Sequence, residues 1–331
     1  MAGTVIITGA NGSLAIHAVE HLLSKTPDTT LILTVRNALD SDPNTKALRE
    51  TIKRYEGAKT SIRALDLAIL KDVHDFADTV ATEVTEGKLP PLRGLVANAY
   101  YWNMITDPQL TVDGLETTIQ VNHVSHAALA LRLLNSFGSD GGRLVFFTSD
   151  AHYPKRNGLE KYPVAIPSDL DELVKAKPET DKQGHGFLRY ANSKLAILMW
   201  TYALNRYLQK DEALSKISAL ATDPGNLVDS RALRTNTPAM LSYMQRFVLQ
   251  PLRPILQFIL PDIRRAVDAG RDVADLVLSE KYPEKRGYIR LAIPDEASSE
   301  DSQDEAVQEK LWTKTAEWAK IISDNTALKG M

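Results

Sequence analysis

Seven short runs of consecutive apolar, largely β-branched residues recur along the chain: Thr4–Thr8, Leu31–Val35, Ile62–Leu65, Leu95–Ala97, Leu144–Phe147, Ile217–Ala221 and Tyr288–Leu291. Successive side chains of a strand point to opposite faces, so a run that is apolar at most positions needs cover on both sides. The longer segments between the runs have helical spacing instead. Leu14, Ala18 and Leu22 form one apolar stripe, and Val121, Val124, Ala128 and Leu131 another. This alternation predicts an α/β, Rossmann-type doubly wound parallel sheet of about seven strands in three layers. A chain of 331 residues buries a sizeable core unaided, and positions 1–331 read as one Rossmann-type domain.

Two segments break the rhythm. Positions 151–186 carry Pro154, Pro163, Pro167, Pro178 and two glycines flanking His185, with one short helical piece near Ser168–Val174. Positions 230–266 are apolar, Pro-broken and Met-containing. Long insertions of this kind are functional lids or linkers, and a substrate lid is expected from both. Within 295–331, the acidic, Ser-rich stretch Asp295–Glu309 is expected to link the last strand to a terminal helix bearing Leu311, Trp312, Trp318 and Ile321.

Composition removes several classes. The absence of cysteine excludes disulfides, a thiolate nucleophile and cysteine metal sites. His17 and His21 have i, i+4 spacing without an accompanying carboxylate motif, so no metal is expected. A net charge of -3 implies no general attraction to nucleic acid or anionic membrane. The most apolar stretch, Met240 to Leu260, is interrupted by Arg246, Pro251, Arg253 and Pro254 and does not read as a membrane span. The first residues enter a strand directly, without the pattern of a secretory leader. A cytoplasmic protein is expected, monomer or homodimer.

The chemistry gathers where apolar runs end. The first run passes through Thr8-Gly9-Ala10-Asn11-Gly12-Ser13-Leu14-Ala15 into a helix. A glycine turn there lets backbone N–H groups approach a pyrophosphate at the helix N-terminus, and it also serves as a plain tight turn. The second run ends at Arg36-Asn37, where an arginine accommodates the 2′-phosphate of NADP. The third ends at Asp66-Leu67, where an aspartate caps a turn. Ser149 closes the fifth, at the strand end where open α/β sheets bind ligands. Tyr190 and Lys194 share one helix face at i, i+4. Tyrosine ionises near pH 10, and a neighbouring cation lowers that value. Tyr100-Tyr101-Trp102 admit two readings, an apolar substrate wall or core packing.

The turn, Asn98-Ala99, Asn122, Ser149, the Tyr190-Ala191-Asn192-Ser193-Lys194 helix and Pro224-Gly225-Asn226-Leu227 together resemble the short-chain dehydrogenase/reductase superfamily over nearly the whole chain. Val121-Asn122-His123-Val124-Ser125-His126, Arg189–Ala196 and Leu311-Trp312 look nearest its retinol-dehydrogenase-like and protochlorophyllide-reductase-like branch, and the insertion and long C-terminal part are similar to fungal natural-product ketoreductases. The resemblance implies that Gly9, Asn11, Ser13, Leu14, Arg36, Asn37, Asp66, Leu67, Asn98, Ala99, Pro224, Gly225 and Leu227 hold NADPH/NADP+. It implies Tyr190 as proton donor, Ser149 as partner of the substrate oxygen, Lys194 on the nicotinamide ribose and Asn122 ordering a water beside Lys194. Departures are Ala15 and Tyr100 for the family's glycines, and Asp229 for a threonine that contacts the pyrophosphate. The implied activity is NADPH-dependent reduction of a medium-sized, largely apolar ketone or aldehyde, in secondary metabolism. Alternatives are reduction of a conjugated C=C bond, or a redox-silent NADPH-binding isomerase or binding protein.

Overall fold

The computed structural model describes residues 3–256, 259–260, 262–278 and 280–329. Gln257, Phe258 and Pro261 of the expected 230–266 lid, and the extremes of the expected 1–331 domain, lie outside the described residues. The apolar runs become β1 (Thr4–Thr8), β2 (Thr30–Val35), β3 (Thr60–Ala64), β4 (Leu92–Ala97), β5 (Gly142–Phe147), β6 (Ile217–Asp223) and, last in the chain, β9 (Gly287–Arg290). They pair in parallel in the order β3-β2-β1-β4-β5-β6-β9. The winding reverses between β1 and β4, which opens a crevice at their carboxyl ends. Two very short strands, β7 (Asn226–Leu227) and β8 (Ile263–Arg264), pair with each other beside that crevice.

The double cover is visible within one strand. Ile6 packs into one apolar cluster with α3 (Leu70–Thr85), α5 (Ser125–Leu133) and α6 (Lys182–Lys210). Val5 and Ile7 pack into the other, with α1 (Ala15–Lys25) and α9 (Ala266–Val277). The edge strand β3 departs from the expectation, being only partly buried, whereas β9 at the other edge is buried throughout. Between β2 and β3 runs α2 (Pro43–Lys53), capped by the Asp42 carboxylate, which accepts from Asn44 N and Thr45 N.

The insertion is shorter than its proline content indicates. α6 begins at Lys182, so Gly184 and Gly186 are helical, not loop. Their reason is close packing: a Cβ on Gly186 would meet Asn103 O at 2.2 Å. The 230–266 segment also holds regular structure, with α7 (Ala239–Met244), a π-helical turn (Gln245–Leu249) and α8 (Gln250–Leu256) in succession. The acidic stretch is anchored as well. Ser298, Ser299 and Ser302 are buried, and α10 (Glu305–Trp318) stacks Trp312 on Trp200 and Tyr207 at centroid distances of 5.5 and 4.5 Å.

Candidate active site

Gly9 ends β1 at φ +61°, and a Cβ there would lie 3.0 Å from the Ala99 Cα. Both the left-handed backbone and the contact demand glycine. Gly12 N donates to Gly9 O at 2.8 Å, closing the turn that delivers Leu14 to the start of α1. Asn98 Nδ2 donates to Thr8 O and Gly9 O at 3.0 and 3.1 Å, and Ala99 N to Thr8 Oγ1 at 3.0 Å. The ends of β1 and β4 are thereby tied together, and the turn keeps the concave form in which backbone N–H groups accommodate an anion.

Around this turn lie the other strand ends. Arg36 and Asn37 are exposed beyond β2, and Thr45 Oγ1 donates to Asn37 O at 2.8 Å and accepts from Asn11 Nδ2 at 3.0 Å. Asp66 accepts from Ala68 N at 2.9 Å, and buried Leu67 takes the Ser125 hydroxyl on its carbonyl at 2.6 Å. Past Pro224, Gly225 and Leu227, Asp229 accepts from Ala266 N at 2.8 Å and so caps α9. Arg231, two positions on, lies across the turn. Its backbone N and Nε donate to Ser13 Oγ at 3.0 and 3.2 Å, and its guanidinium donates to Asn11 O at 2.5 Å and to Asn44 Oδ1. Sequence reasoning stopped at Leu227 and missed Arg231. The signal available was Asp229 standing where the resemblance expects a threonine, with an arginine two positions on.

At the far end of the crevice, α6 places Tyr190 and Lys194 beside the end of β5. Lys194 Nζ lies 5.5 Å from the centre of the Tyr190 ring and donates to Phe147 O at 3.0 Å. Thr148 Oγ1 donates to Lys194 O at 2.9 Å, locking helix to strand. Ser149, within hydrogen-bonding reach of the Tyr190 phenol, donates to Asp150 Oδ1 at 3.0 Å and accepts from Ala151 N at 3.3 Å. The Tyr190 ring packs edge-on against Trp102 and Tyr100, with centroids 5.2 and 6.4 Å away. Trp102 Nε1 in turn donates to Thr235 O at 3.2 Å.

Asn122 sits in a π-helical turn (Gln120–Val124) that joins α4 (Thr117–Ile119) to α5. Such turns collect at functional sites. Its side chain accepts from Tyr101 N at 2.7 Å and donates to Tyr101 O and Ser193 Oγ, both at 2.9 Å. Ser193 Oγ donates to Tyr190 O at 2.7 Å. Asn122 therefore fixes the aromatic loop and the Tyr190 turn of α6 in one stroke.

The electrostatics differ from the expected lowering of Tyr190. Burial pushes its phenol well above the ordinary value; Tyr100, Asp150 and Asp223 add to the rise, and Ser149 opposes it. Burial also pushes Lys194 down to about 7. Loss of hydration outweighs what a cation spent on a carbonyl returns, so this pocket favours the neutral phenol. Beneath it, burial pushes Asp223 up to about 7. Arg290, wholly buried, lies 3.3 Å from Asp223 and pairs with Glu296 at 2.5 Å and with Asp262.

A cavity of about 930 Å³ joins these parts. It is bounded by the turn (Gly12–Leu14), by Ser149, Tyr190 and Lys194, and by Tyr100 and Trp102. Arg156–Leu159 from the insertion and Leu241 and Leu249 from the later segment complete its walls. Of the three loop aromatics, Tyr100 and Trp102 face it, while Tyr101 is not among its lining residues. Among the described residues, no cluster of His, Asp and Glu is fit to hold a metal.

A model of the KR domain matches residues 3–183, and a model of the AcuH dehydrogenase domain matches residues 231–328. The short-chain dehydrogenase iccH of Talaromyces variabilis is 28% identical, over 99% of this chain and 98% of its own length. Human retinol dehydrogenase 13 is 26% identical, over 95% of this chain and 83% of its own. Among solved structures, the angucycline C-6 ketoreductase LanV with bound NADP superposes with a TM-score of 0.60 at 17% identity, covering 88% of this chain and 96% of that one.

Proposed function

Because the chain belongs to the short-chain dehydrogenase/reductase superfamily through its KR domain, we propose that it is an NADPH-dependent carbonyl reductase of medium-sized, largely apolar ketones or aldehydes. The observation that carries this reading is the convergence of Ser149, Tyr190 and Lys194 on one end of a cavity whose other end is the glycine turn. The cradle at Gly9, which a Cβ would fill, and the arginines beside it fit a dinucleotide phosphate. NADPH supplies the hydride. Ser149 and Tyr190 hold the carbonyl oxygen, and Tyr190 gives it the proton. Lys194 would hold the nicotinamide ribose, and Asn122 positions the Tyr101 loop and the Tyr190 turn of α6. Hydrogen-bond donors positioned before the reaction stabilise the developing alkoxide. Trp102, Tyr100 and Phe187 give the substrate an apolar wall. The likeness to the fungal dehydrogenase iccH supports a role in secondary metabolism.

The test is NADPH oxidation against a panel of apolar ketones, aldehydes and enones with identification of the products. An alcohol supports the reading. A saturated ketone from an enone selects C=C reduction instead, and tight NADPH binding without turnover of any member selects a redox-silent protein.

Two arginines carry the cofactor preference. Arg36 makes no ion pair among the described residues and stands at the β2 end, so NADPH should bind better than NADH. Arg36→Asp replaces attraction by repulsion and should weaken NADP+ binding by about 10- to 150-fold, the worth of roughly 1.5–3 kcal/mol in a charge-assisted hydrogen bond, while sparing NAD+. Titration by fluorescence measures both; equal native affinity for the two cofactors defeats the assignment. Arg231→Ala should weaken NADP+ binding over a similar range, roughly tenfold or more, and Arg231→Lys should restore part of it. Unchanged affinity in Arg231→Ala would make that side chain a structural strut only.

A further inference from the structure

Large apolar side chains are exposed very unevenly. Of the 16 that are exposed among the described residues, nine fall between Met240 and Leu260. Met240, Tyr243, Phe247, Ile255 and Ile259 are 75, 64, 61, 62 and 71% exposed. The helical succession of α7, the π-helical turn and α8 explains how they line up. Leu241, Gln245 and Leu249 recur every four residues and face the cavity. Gln245 Nε2 donates to Ser230 O at 3.1 Å and Gln250 Nε2 to Val228 O at 2.8 Å, so the inner face is held to the body by polar contacts. The outer face has no such cover. Single exposed apolar residues are ordinary on a protein surface, whereas a contiguous stripe of them marks an interaction site.

Charge identifies the partner. Between positions 230 and 261 there are four arginines and no acidic residue, in a chain whose net charge is -3. Arg231 is engaged at the glycine turn. Arg234, Arg246 and Arg253 make no ion pair among the described residues, and the Arg246 guanidinium lies over the Phe247 ring at 5.5 Å. An apolar helix face edged by arginine, without acids, is the pattern of a helix lying in the plane of a lipid interface. A second copy is a poorer occupant. A two-fold pairing of this face sets arginine against arginine with no carboxylate of the segment to pair them.

We propose that the α7–α8 face docks this protein on the surface of an anionic lipid bilayer, with Phe247 and Ile255 entering the interface and Arg246 and Arg253 meeting lipid phosphates and carboxylates. The negative remainder of the molecule is repelled by the same surface, and this orients the patch toward it. Because the inner face of the same helix lines the cavity, an apolar substrate can pass from bilayer to site without crossing water. That extension rests on the reductase reading; the docking does not.

Co-sedimentation of the full chain with phosphatidylcholine vesicles, with and without phosphatidylserine, tests it in the absence of cofactor and substrate. The native protein should sediment with the phosphatidylserine vesicles at low salt and be released at high salt. The double variant Phe247→Glu/Ile255→Glu should abolish binding while keeping the native melting temperature and NADP+ affinity, since neither residue lines the cavity. Arg246→Gln/Arg253→Gln should weaken binding roughly tenfold or more and flatten its salt dependence. Failure of the native protein to sediment with phosphatidylserine vesicles at low salt overturns the proposal. Equal binding to neutral vesicles overturns its anionic part. A dimer seen by light scattering, lost in Phe247→Glu/Ile255→Glu, with no vesicle binding, replaces the bilayer by a second copy.

Discussion

Tyr190→Phe is expected to lower turnover by about 10²–10⁴, the usual contribution of a positioned general acid, while leaving the fold and NADP+ affinity in place. The ring packs against Trp102, Tyr100 and Phe187, and phenylalanine keeps those contacts. Only the hydroxyl is lost, and its neighbour Ser149 keeps its bonds to Asp150 and Ala151. The direction of its pKa sharpens the expectation. A phenol pushed up by burial stays protonated through neutral pH, so in the reductive direction the donor is always loaded. Single-turnover hydride transfer, followed with the true substrate, separates this step from product release. Near-native transfer in the variant would remove Tyr190 from the mechanism and move the search to other hydroxyls and imidazoles around the cavity.

Lys194→Met should cost at least as much turnover, again about 10²-fold or more, and unlike Tyr190→Phe it should weaken NADP+ binding too. Methionine fills the buried volume of the lysine stem but removes the charge and the donor to Phe147 O. The pH dependence follows from the pKa. Burial lowers Lys194 to about 7, so the free protein carries the charge below that pH and loses it as pH rises. A ligand that favours the charged form then binds more weakly as pH climbs through about 7, until the higher pKa of the bound state is reached. The affinity of the native protein for NADP+ should fall over that window by up to tenfold per unit. The variant should keep the components that come from the ligand's own phosphate, which ionises near pH 6, and from Asp223, pushed up to about 7 beside the cavity. Parallel pH profiles for the two proteins would detach Lys194 from the cofactor.

Much of the crevice was legible because its parts are local. A glycine that must be left-handed, a residue ending a strand and a tyrosine one helical turn from a lysine are all fixed by neighbours in sequence. Arg231 and Asp223 escaped because their roles come from residues far away. Arg231 matters through Asn11, Ser13 and Asn44, and Asp223 through Arg290, which is itself held by Asp262 and Glu296. Glycine disfavours helix interiors, so Gly184 and Gly186 read as loop residues; only the approach of Asn103 O to Gly186, and of the Asp181 carboxylate and the Tyr162 ring to Gly184, explains why the helix holds them there.

The sequence by itself determined the parallel sheet, because runs apolar at successive positions fold stably only with helices on both faces. It also determined which strand ends carry polar chemistry, since those ends interrupt the apolar pattern. The tertiary structure alone decided the ionisation of the site. Tyr190 and Lys194 are moved away from their charged forms by the loss of water around them, and burial is a property of everything packed nearby. It alone decided, too, that one face of a helix over the cavity turns Leu241 and Gln245 inward and leaves Phe247 and Ile255 in the open. Composition counts those residues alike, and only packing tells the covered face from the bare one.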